Sequence, residues 1–195
     1  MPSSMAGSDS CLDRTVLHQN GAMSDETARA TTPSTLTIEP AVPGDLAAVA
    51  ELRWQWVIEN EGTPVVPHDE FLEIFTDWAA EHAQSHQCTV ARRGETVIGM
   101  AWLAVVPRVL SSQAPVRAFG DVQCVYVAPN ERDSGIGGRM IEAVVAHAFA
   151  LGLERVTVQS SPGAVSAYVR AGFVENELLL QATTRSHNVA TTVEN

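Results

Sequence analysis

The sequence predicts an α/β domain whose sheet has strands of mixed direction. Two patterns alternate along residues 35–182: short runs rich in β-branched residues, and longer stretches with an apolar residue every three or four positions. Glycine or proline separates most of these segments. The chain has 195 residues and is 45% hydrophobic, which is enough for one domain with its own core. Such alternation is typical of a sheet covered by helices.

The first half of this domain predicts one strand and two helices. Residues 36–39 alternate apolar and polar side chains, as a half-buried strand does. A turn follows, and Asp45 is the expected N-cap of the first helix, which ends at Gly62. The second helix is predicted over 68–86 because its apolar residues recur at helical spacing. These apolar residues are Phe71, Leu72, Phe75 and Trp78.

The second half predicts a hairpin and then alternating strands and helices. The hairpin turns at Arg93-Gly94-Glu95, between two β-rich runs. One long helix has apolar residues along one face and is closed by Gly152. The predicted strands cover 88–92, 96–106, 119–127, 155–159 and 173–182, and the predicted helices cover 134–150 and 163–171.

Both ends of the chain predict tails. Residues 1–34 are rich in Ser, Thr, Ala and Asp without apolar periodicity, so we expect a disordered N-terminal tail. Met23 opens an alternative start within it. Residues 183–195 are polar and predict a flexible C-terminal tail. The predicted working domain is therefore 35–182.

The charged residues exclude several function classes. The formal net charge is −11, and all 12 basic residues are arginine. Without lysine the chain has neither a Gly-Lys-Ser/Thr phosphate loop nor a Schiff-base lysine. The acidic balance argues against nucleic acid as a partner and is compatible with a cationic one.

The cysteines and the hydropathy pattern predict a cytoplasmic protein without a membrane segment. The three cysteines are widely spaced and form no C-x-x-C pair, which disfavours disulfides and a cysteine-based zinc site. His82 and His86 are four residues apart, but no His-Glu-x-x-His motif is present, and we expect no metal. No apolar run approaches membrane-spanning length, and the N-terminus lacks a signal-peptide pattern.

A glycine-rich segment after the 119–127 strand carries the chemistry. The strand is followed by a turn and by a helix that opens on glycines, and a helix N-terminus binds phosphate through unpaired N–H groups. A dinucleotide-binding fingerprint would require a third glycine where Met140 stands. What remains is Arg-x-x-Gly-x-Gly, with Arg132, Gly135 and Gly137 at its defined positions.

This segment resembles the pyrophosphate loop of the GCN5-related N-acetyltransferase (GNAT) family, Arg/Gln-x-x-Gly-x-Gly/Ala. Two further features match the family. Val127-Ala128-Pro129 ends the preceding strand, and Tyr168 stands four residues before Gly172-Phe173. The resemblance covers residues 35–182.

The resemblance implies a mixed, mostly antiparallel central sheet flanked by helices, with a bulged fourth strand that splays from the fifth. Acetyl-CoA, the implied co-substrate, would lay its pantetheine arm in that cleft. Backbone groups of Val125 and Val127 would pair with the arm, and the loop's N–H groups would hold the pyrophosphate. The implied cofactor-binding residues are Val125, Val127, Arg132, Asp133, Ser134, Gly135, Ile136, Gly137 and Gly138.

The resemblance also implies a catalytic role for Tyr168, as the acid that protonates the leaving thiolate. The alternative is a packed core tyrosine. Ser161 stands where many family members have asparagine, which puts that cofactor contact in doubt. Asp121, Glu59 and Glu61 are candidate general bases; Asp121 is expected on the same strand face as Val125 and Val127. We select none of the three.

The acceptor side is strongly acidic. In this family the first two helices and their loop line the acceptor site, and here that segment carries nine acidic residues and one arginine, Arg53. A negative cleft would concentrate a cationic amine, whereas solvated acidic helix faces explain the composition equally well. Trp54, Trp56 and Trp78 fit the core better than substrate stacking.

The resulting expectation is an acetyl-CoA-dependent N-acetyltransferase. It would move the acetyl group directly from CoA to a primary amine, either a small cationic amine or a peptide N-terminus. The alternatives are an acyl-CoA sensor of the same fold without turnover and a transferase for a longer acyl chain. A homodimer is compatible with the family.

Overall fold

Five strands form one sheet in the order β1-β2-β3-β4-β5 in the computed structural model, which describes residues 35–182. The predicted tails, 1–34 and 183–195, lie outside the described residues. The strands are β1 Leu36–Pro40, β2 His86–Arg93, β3 Thr96–Pro107, β4 Ala118–Val127 and β5 Val156–Val158. The helices are α1 Leu46–Asn60, α2 His68–Glu81, α3 Ile136–Ala150 and α4 Val165–Arg170.

The sheet has the predicted mixed, mostly antiparallel direction. The first four strands pair antiparallel with their neighbours in chain order. β5 follows the crossover helix α3 and pairs parallel with β4. The predicted fold class is confirmed.

Each face of the sheet has its own core. The α3 face is packed by branched and straight-chain apolar residues, whereas the face under α1 and α2 is rich in aromatic side chains. Buried members of the first core include Leu103, Val122, Ile136, Met140 and Val144. Buried members of the second include Val49, Leu52, Met100, Trp102 and Tyr126. β4 contributes to both cores and therefore couples them.

Three predicted helix boundaries are wrong. α2 ends at Glu81 instead of 86, because β2 already begins at His86, where it pairs with Ala104. α3 begins at Ile136 instead of 134, because Gly135 has a φ of 78° and cannot continue a right-handed helix. α4 begins at Val165 instead of 163.

Asp45 occupies the N-cap position of α1, but its carboxylate makes no cap bond to the helix. It accepts from the backbone N–H of Val42 at 2.9 Å and pairs with Arg92. Asp45 therefore joins the β1–α1 turn to β2, and it is one of two buried polar residues among those described.

The predicted final strand is wrong for the part of the chain that is described. No strand forms over 173–182, and Val174, Leu178 and Leu180 are each at least 85% exposed. β5 has only three residues, so it offers a following segment few backbone partners.

Candidate functional site

β4 contains a bulge halfway along its length. Met100 of β3 faces Tyr126, and Trp102, two residues later, faces Gln123. β4 therefore carries one extra residue in this interval, and Cys124 has a φ of 48° there. A bulge inserts a residue, bends the strand and increases its twist. This is the bulged fourth strand that the family resemblance implies.

The same strand loses its neighbour at the bulge. β5 pairs with Gly120, Asp121 and Val122 only. We call residues 118–122 the paired half of β4 and residues 123–127 the open half. Beside the open half the sheet has no further strand within the described residues, so a cleft opens between β4 and the end of β5.

The bulge also reverses which face the side chains point to. Val122, Val125 and Val127 all pack with the α3-side core, whereas Cys124 and Tyr126 pack with the other core. Simple alternation would have placed Val122 opposite the other two valines. The prediction that Asp121 shares a face with Val125 and Val127 is therefore wrong.

Asp121 lies where β4 and β5 part. It is one residue before the last pair of the β4–β5 ladder. Its carboxylate accepts from Thr157 Oγ1 at 3.1 Å and from Gln123 Nε2 at 3.0 Å. The carboxylate therefore stands at the vertex of the cleft.

The loop after the open half presents a row of unpaired donors. From Asp133 to Gly138, no backbone N–H donates to an atom of the described residues. Asp133 has a φ of 61° and Gly135 one of 78°, and left-handed residues within such a turn make successive N–H groups converge on an anion. A Cβ at Gly135 or Gly138 would meet nothing within 4 Å. The loop is open toward solvent, and free backbone N–H groups of this kind can bind an anion.

Two contacts hold this loop in place. Glu131, at the end of the turn Pro129–Glu131, accepts two-pronged hydrogen bonds from Arg93 of β2, the shortest at 2.7 Å. Ser134 Oγ donates to the backbone oxygen of Glu131 at 2.6 Å. Arg93 also lowers the pKa of Glu131, which keeps the carboxylate ionised. The loop is thus anchored to the sheet before its free N–H groups begin.

The side chain of Arg132 turns away from the loop. Its Nε donates to the backbone oxygen of Val127 at 2.9 Å, and its Nη2 donates to Glu59 at 2.7 Å. The guanidinium also lies over the Tyr126 ring, 5.1 Å from its centre. Its charge is therefore engaged with α1 and β4, whereas Arg139 makes no ion pair with a described residue.

Tyr168, on α4, packs into the core on the α3 side of the sheet. Its side chain is buried, and its ring packs edge-on against Phe173 at 5.3 Å. Its hydroxyl donates to no described residue, yet the oxygen is not sealed from solvent. Burial, and next the Cys124 thiol, raise the pKa of Tyr168. The hydroxyl is protonated and available at neutral pH.

Two of the three candidate bases are already engaged. Glu59 accepts from Tyr126 Oη at 2.8 Å as well as from Arg132, and the Arg132 hydrogen bond holds the pKa of this carboxyl below its ordinary value. Glu61 lies 3.6 Å from Arg53 and is about half exposed. Neither carboxylate is both free and poised to take a proton.

Sequence reasoning missed the roles of Tyr126 and Arg53. Tyr126 ties the open half of β4 to α1 through Glu59. Arg53 donates to Cys124 Sγ at 3.2 Å and lies 4.1 Å above the Trp56 ring. Burial raises the pKa of Cys124, so this thiol is a packed residue at the bulge. No sequence motif marks these contacts, because each joins residues more than 60 positions apart or an arginine to an aromatic neighbour.

Aromatic and histidine side chains of α2 pack against those of α1 and of the segment that leads into β2. Trp78 lies 5.0 Å from both His82 and His86, and Trp54 lies 5.4 Å from Phe71. Among residues 35–182, no three potential metal ligands cluster. In the same range, none of the helices is both long and apolar enough to cross a bilayer.

Comparison with known proteins agrees with this geometry. A sequence profile described as "Acetyltransferase (GNAT) family" matches residues 47–173. No curated protein sequence matches the chain.

Solved structures share the fold at low sequence identity. A predicted acetyltransferase from Clostridium acetobutylicum, solved with acetyl-CoA, is 17% identical at a TM-score of 0.61 and covers 76% of this chain and 96% of its own. A GCN5-related N-acetyltransferase from Ralstonia eutropha is 18% identical at a TM-score of 0.60, covering 76% and 99%. Glucosamine-6-phosphate N-acetyltransferase from Arabidopsis thaliana is 18% identical at a TM-score of 0.58, covering 76% and 98%.

Proposed function

The chain belongs to the GNAT acetyltransferase family, and from this premise we propose that it acetylates a primary amine, either a small cationic amine or a peptide N-terminus. Membership makes it an acyltransferase with acyl-CoA as donor. The acetyl donor, the amine acceptor and the residue roles below are our proposal. A cytoplasmic location remains a prediction from the sequence, and a homodimer remains compatible with the family.

One observation carries the proposal: the uninterrupted run of free backbone N–H groups from Asp133 to Gly138, in the loop that follows the open half of β4. Backbone donors at the N-terminus of α3 suit a pyrophosphate, because the helix dipole adds to their partial charge. The guanidinium of Arg132 would contribute less than these backbone donors, since it is held by Glu59.

The open half of β4 would receive the extended arm of the donor. A strand edge without a neighbour presents backbone donors and acceptors to an extended chain. Val125 and Val127 are the residues proposed to pair with the arm. The oxygen of Val127 already accepts from Arg132, so we expect Val125 to make the closer contact.

Acetyl-CoA supplies the thioester whose acyl group is transferred. Tyr168 would hold a proton near the sulfur and give it to the thiolate as the C–S bond breaks. Its raised pKa and its unpaired hydroxyl suit this task, because a phenol that donates elsewhere would have to give up a bond first.

Asp121 is the general base that we propose among the three candidates. It stands at the vertex of the cleft, and both of its hydrogen bonds come from neutral groups, whereas Glu59 and Glu61 face arginines. It would take a proton from the incoming ammonium, directly or through one water. Asp121→Asn should lower kcat at neutral pH, and Glu61→Gln is the matched control expected to retain kcat at saturating acceptor.

The acceptor class rests on charge. Glu59 and Glu61 lie at the end of α1 beside the open half of β4, and Glu61 is 54% exposed. A cationic amine would be drawn to this side of the molecule by long-range attraction. Salt should therefore weaken acceptor capture more than donor binding.

The test is release of CoA from acetyl-CoA in the presence of aminoglycosides, polyamines, amino acids and peptides with free N-termini. Turnover with one class would support the proposal and name the acceptor. Binding of acetyl-CoA without turnover of any amine would contradict acetyl transfer and favour a longer acyl donor or a sensor. No binding of acetyl-CoA would contradict the placement of the loop as its site.

A further inference from the structure

The side chain of Arg132 occupies groups that both substrates of the proposed reaction would need. Its Nε donates to the backbone oxygen of Val127, the last residue of the open half of β4, at 2.9 Å. Its Nη2 donates to Glu59, near the end of α1, at 2.7 Å. The ring of Tyr126 lies under the guanidinium, with its centre 5.1 Å away. Arg132 therefore lies across the open half of β4, although its backbone belongs to the loop.

The backbone position of Arg132 gives its side chain a second possible partner. The run of free N–H groups begins at Asp133, the next residue in the chain. A guanidinium binds phosphate through two parallel hydrogen bonds, and phosphate competes well with a carboxylate for this geometry. An arginine one residue before the first free N–H is long enough to reach an anion bound there. Rotation of the Arg132 side chain would therefore exchange Glu59 for a phosphate.

The contact that would be given up is a weak one. The side chains of Arg132 and Glu59 are 41% and 35% exposed, and an ion pair of this exposure changes an equilibrium constant by at most about fivefold. A pyrophosphate carries more negative charge than one carboxylate and would already be held by backbone donors. Glu59 would keep its other partner, the hydroxyl of Tyr126, which donates to it at 2.8 Å. The exchange therefore costs little and leaves no buried group unpaired.

We propose that Glu59 competes with the phosphates of the acyl-CoA donor for Arg132, so that donor binding moves the guanidinium from Glu59 to a phosphate. The inference rests on the proposed function, because it takes the loop from Asp133 to Gly138 as the pyrophosphate site. The exchange releases two groups at once. The oxygen of Val127 becomes available to the arm of the donor, and the Glu59 carboxylate becomes available to attract the ammonium of the acceptor. Glu59 thus lowers donor affinity and is itself freed only in the donor complex.

A double-mutant cycle on donor binding tests the competition without any acceptor. Acetyl-CoA is titrated calorimetrically, at one ionic strength, into the full chain and into Glu59→Gln, Arg132→Gln and the double variant. The glutamine keeps an oxygen for the hydroxyl of Tyr126 but removes the charge that holds Arg132. We expect Glu59→Gln to bind acetyl-CoA about 2- to 5-fold tighter than the wild type, because the guanidinium no longer has to leave an ion pair. In the Arg132→Gln background, Glu59→Gln should leave the affinity unchanged.

Two matched controls separate the exchange from long-range charge. Glu61→Gln removes a neighbouring negative charge that faces Arg53 rather than Arg132. We expect it to change acetyl-CoA affinity by less than about 1.5-fold, because exposed charges at a distance are screened by salt. Arg139→Gln removes a positive charge from the first turn of α3. In that background, Glu59→Gln should still tighten acetyl-CoA binding about 2- to 5-fold, because Glu59 makes no ion pair with Arg139.

Two results would overturn the competition and leave the proposed acetyl transfer intact. The first is unchanged or weaker binding of acetyl-CoA by Glu59→Gln. The second is equal tightening by Glu59→Gln with and without Arg132, or equal tightening by Glu61→Gln, since either would reflect overall charge alone. Wild-type protein that does not bind acetyl-CoA would instead contradict the proposed donor site, and the competition with it.

Discussion

The two halves of β4 have the same backbone chemistry and opposite roles. The paired half has a strand on each side, and a Cβ added to Gly120 would come within 2.8 Å of Leu103 Cδ1. The open half has a strand on one side only, contains the bulge, and leads into a loop of unpaired N–H groups. One strand thus serves as scaffold over its first residues and as candidate binding edge over its last.

Arginine–glutamate pairs brace both halves but with different consequences. Beside the paired half, Glu154 accepts from Arg108 at 2.7 Å and also pairs with Arg117. Beside the open half, Glu59 holds Arg132 and Tyr126. The contacts of Glu154 join the end of β3 to the start of β4, which the β3–β4 ladder already holds together. The contacts of Glu59 connect α1 to an edge that β5 does not support, so their loss should loosen the open half of β4.

The largest expected effect is on catalysis, from Tyr168→Phe. We expect kcat to fall about 100-fold, because a positioned acid contributes at this scale, and acetyl-CoA affinity to stay within about twofold. The melting temperature should not change, because the hydroxyl bonds to no described residue. Steady-state kinetics with acetyl-CoA and thermal unfolding measure both. Wild-type turnover would contradict the acid role.

The second effect is on donor binding, from Gly137→Asp. The carboxylate would stand among the free N–H groups of the loop and repel a pyrophosphate, weakening acetyl-CoA by about 10- to 100-fold. Gly137→Asn is the matched control, because it has nearly the same size without the charge and a Cβ at this position lies 3.9 Å from Val127. Calorimetric titration compares the two. Equal loss in both variants would mean that steric conflict, not charge, governs the site.

The third effect is on stability, from Tyr126→Phe. The chain has two tyrosines, and this one donates to Glu59 at 2.8 Å, so its loss leaves a weaker tie between the open half and α1. We expect about 1 kcal/mol of lost stability, or roughly 2–4 °C in melting temperature. The same hydroxyl deletion at Tyr168 is the control. If Tyr168→Phe cost more stability than Tyr126→Phe, the assignment of the two hydroxyls would be reversed.

The smallest effect is the pH dependence of the stability that the arginine–glutamate pairs of Glu154 and Glu59 contribute. The pKa values of the Glu154 and Glu59 carboxyl groups are lower in the folded chain than in the unfolded chain. Each arginine–glutamate pair therefore stabilises the fold fully above the carboxyl's pKa in the unfolded chain, and this stabilisation is lost as the pH falls through the pKa in the folded chain. The Arg117 hydrogen bond is the main cause that lowers the pKa of Glu154 to about 2, and Arg132 lowers that of Glu59 by less.

Comparing Glu59→Gln with Glu154→Gln tests this order. We expect the destabilisation by Glu59→Gln to vanish between about pH 5 and pH 3, while Glu154→Gln still destabilises at about pH 3. Thermal unfolding across that range should show differences of at most about 2 °C, because both pairs are partly exposed. If the destabilisation by Glu154→Gln disappeared at a higher pH than that by Glu59→Gln, the expected order of the two carboxyl pKa values would be wrong.

Much of the fold was predictable because it depends on local patterns. Apolar periodicity located α1, α2 and α3, and the Arg-Gly-Glu turn located the β2–β3 hairpin. The prediction failed where pairing with a distant segment determines the structure. α2 ends early because His86 pairs with Ala104 as part of β2, and residues 173–182 form no strand beside a three-residue β5.

The site divides in the same way. The loop from Arg132 to Gly138 was recognisable because glycine spacing controls local backbone shape. The face to which each side chain of β4 points could not be predicted in the same way. Cys124 adopts a positive φ without being glycine or asparagine, and the resulting bulge places Asp121 and Val125 on opposite faces. The direction of Arg132 was equally hidden, since its partner Glu59 is 73 residues away.

The sequence by itself therefore determined the order of most helices and strands, the glycine-rich loop and the presence of an acidic, lysine-free surface, because each depends on residues close in the chain. Only the tertiary structure decided where β4 parts from β5, which carboxylate stands at the vertex and which donors remain unpaired. Those outcomes follow from backbone register and long-range pairing, where a shift of one residue exchanges the two faces of a strand.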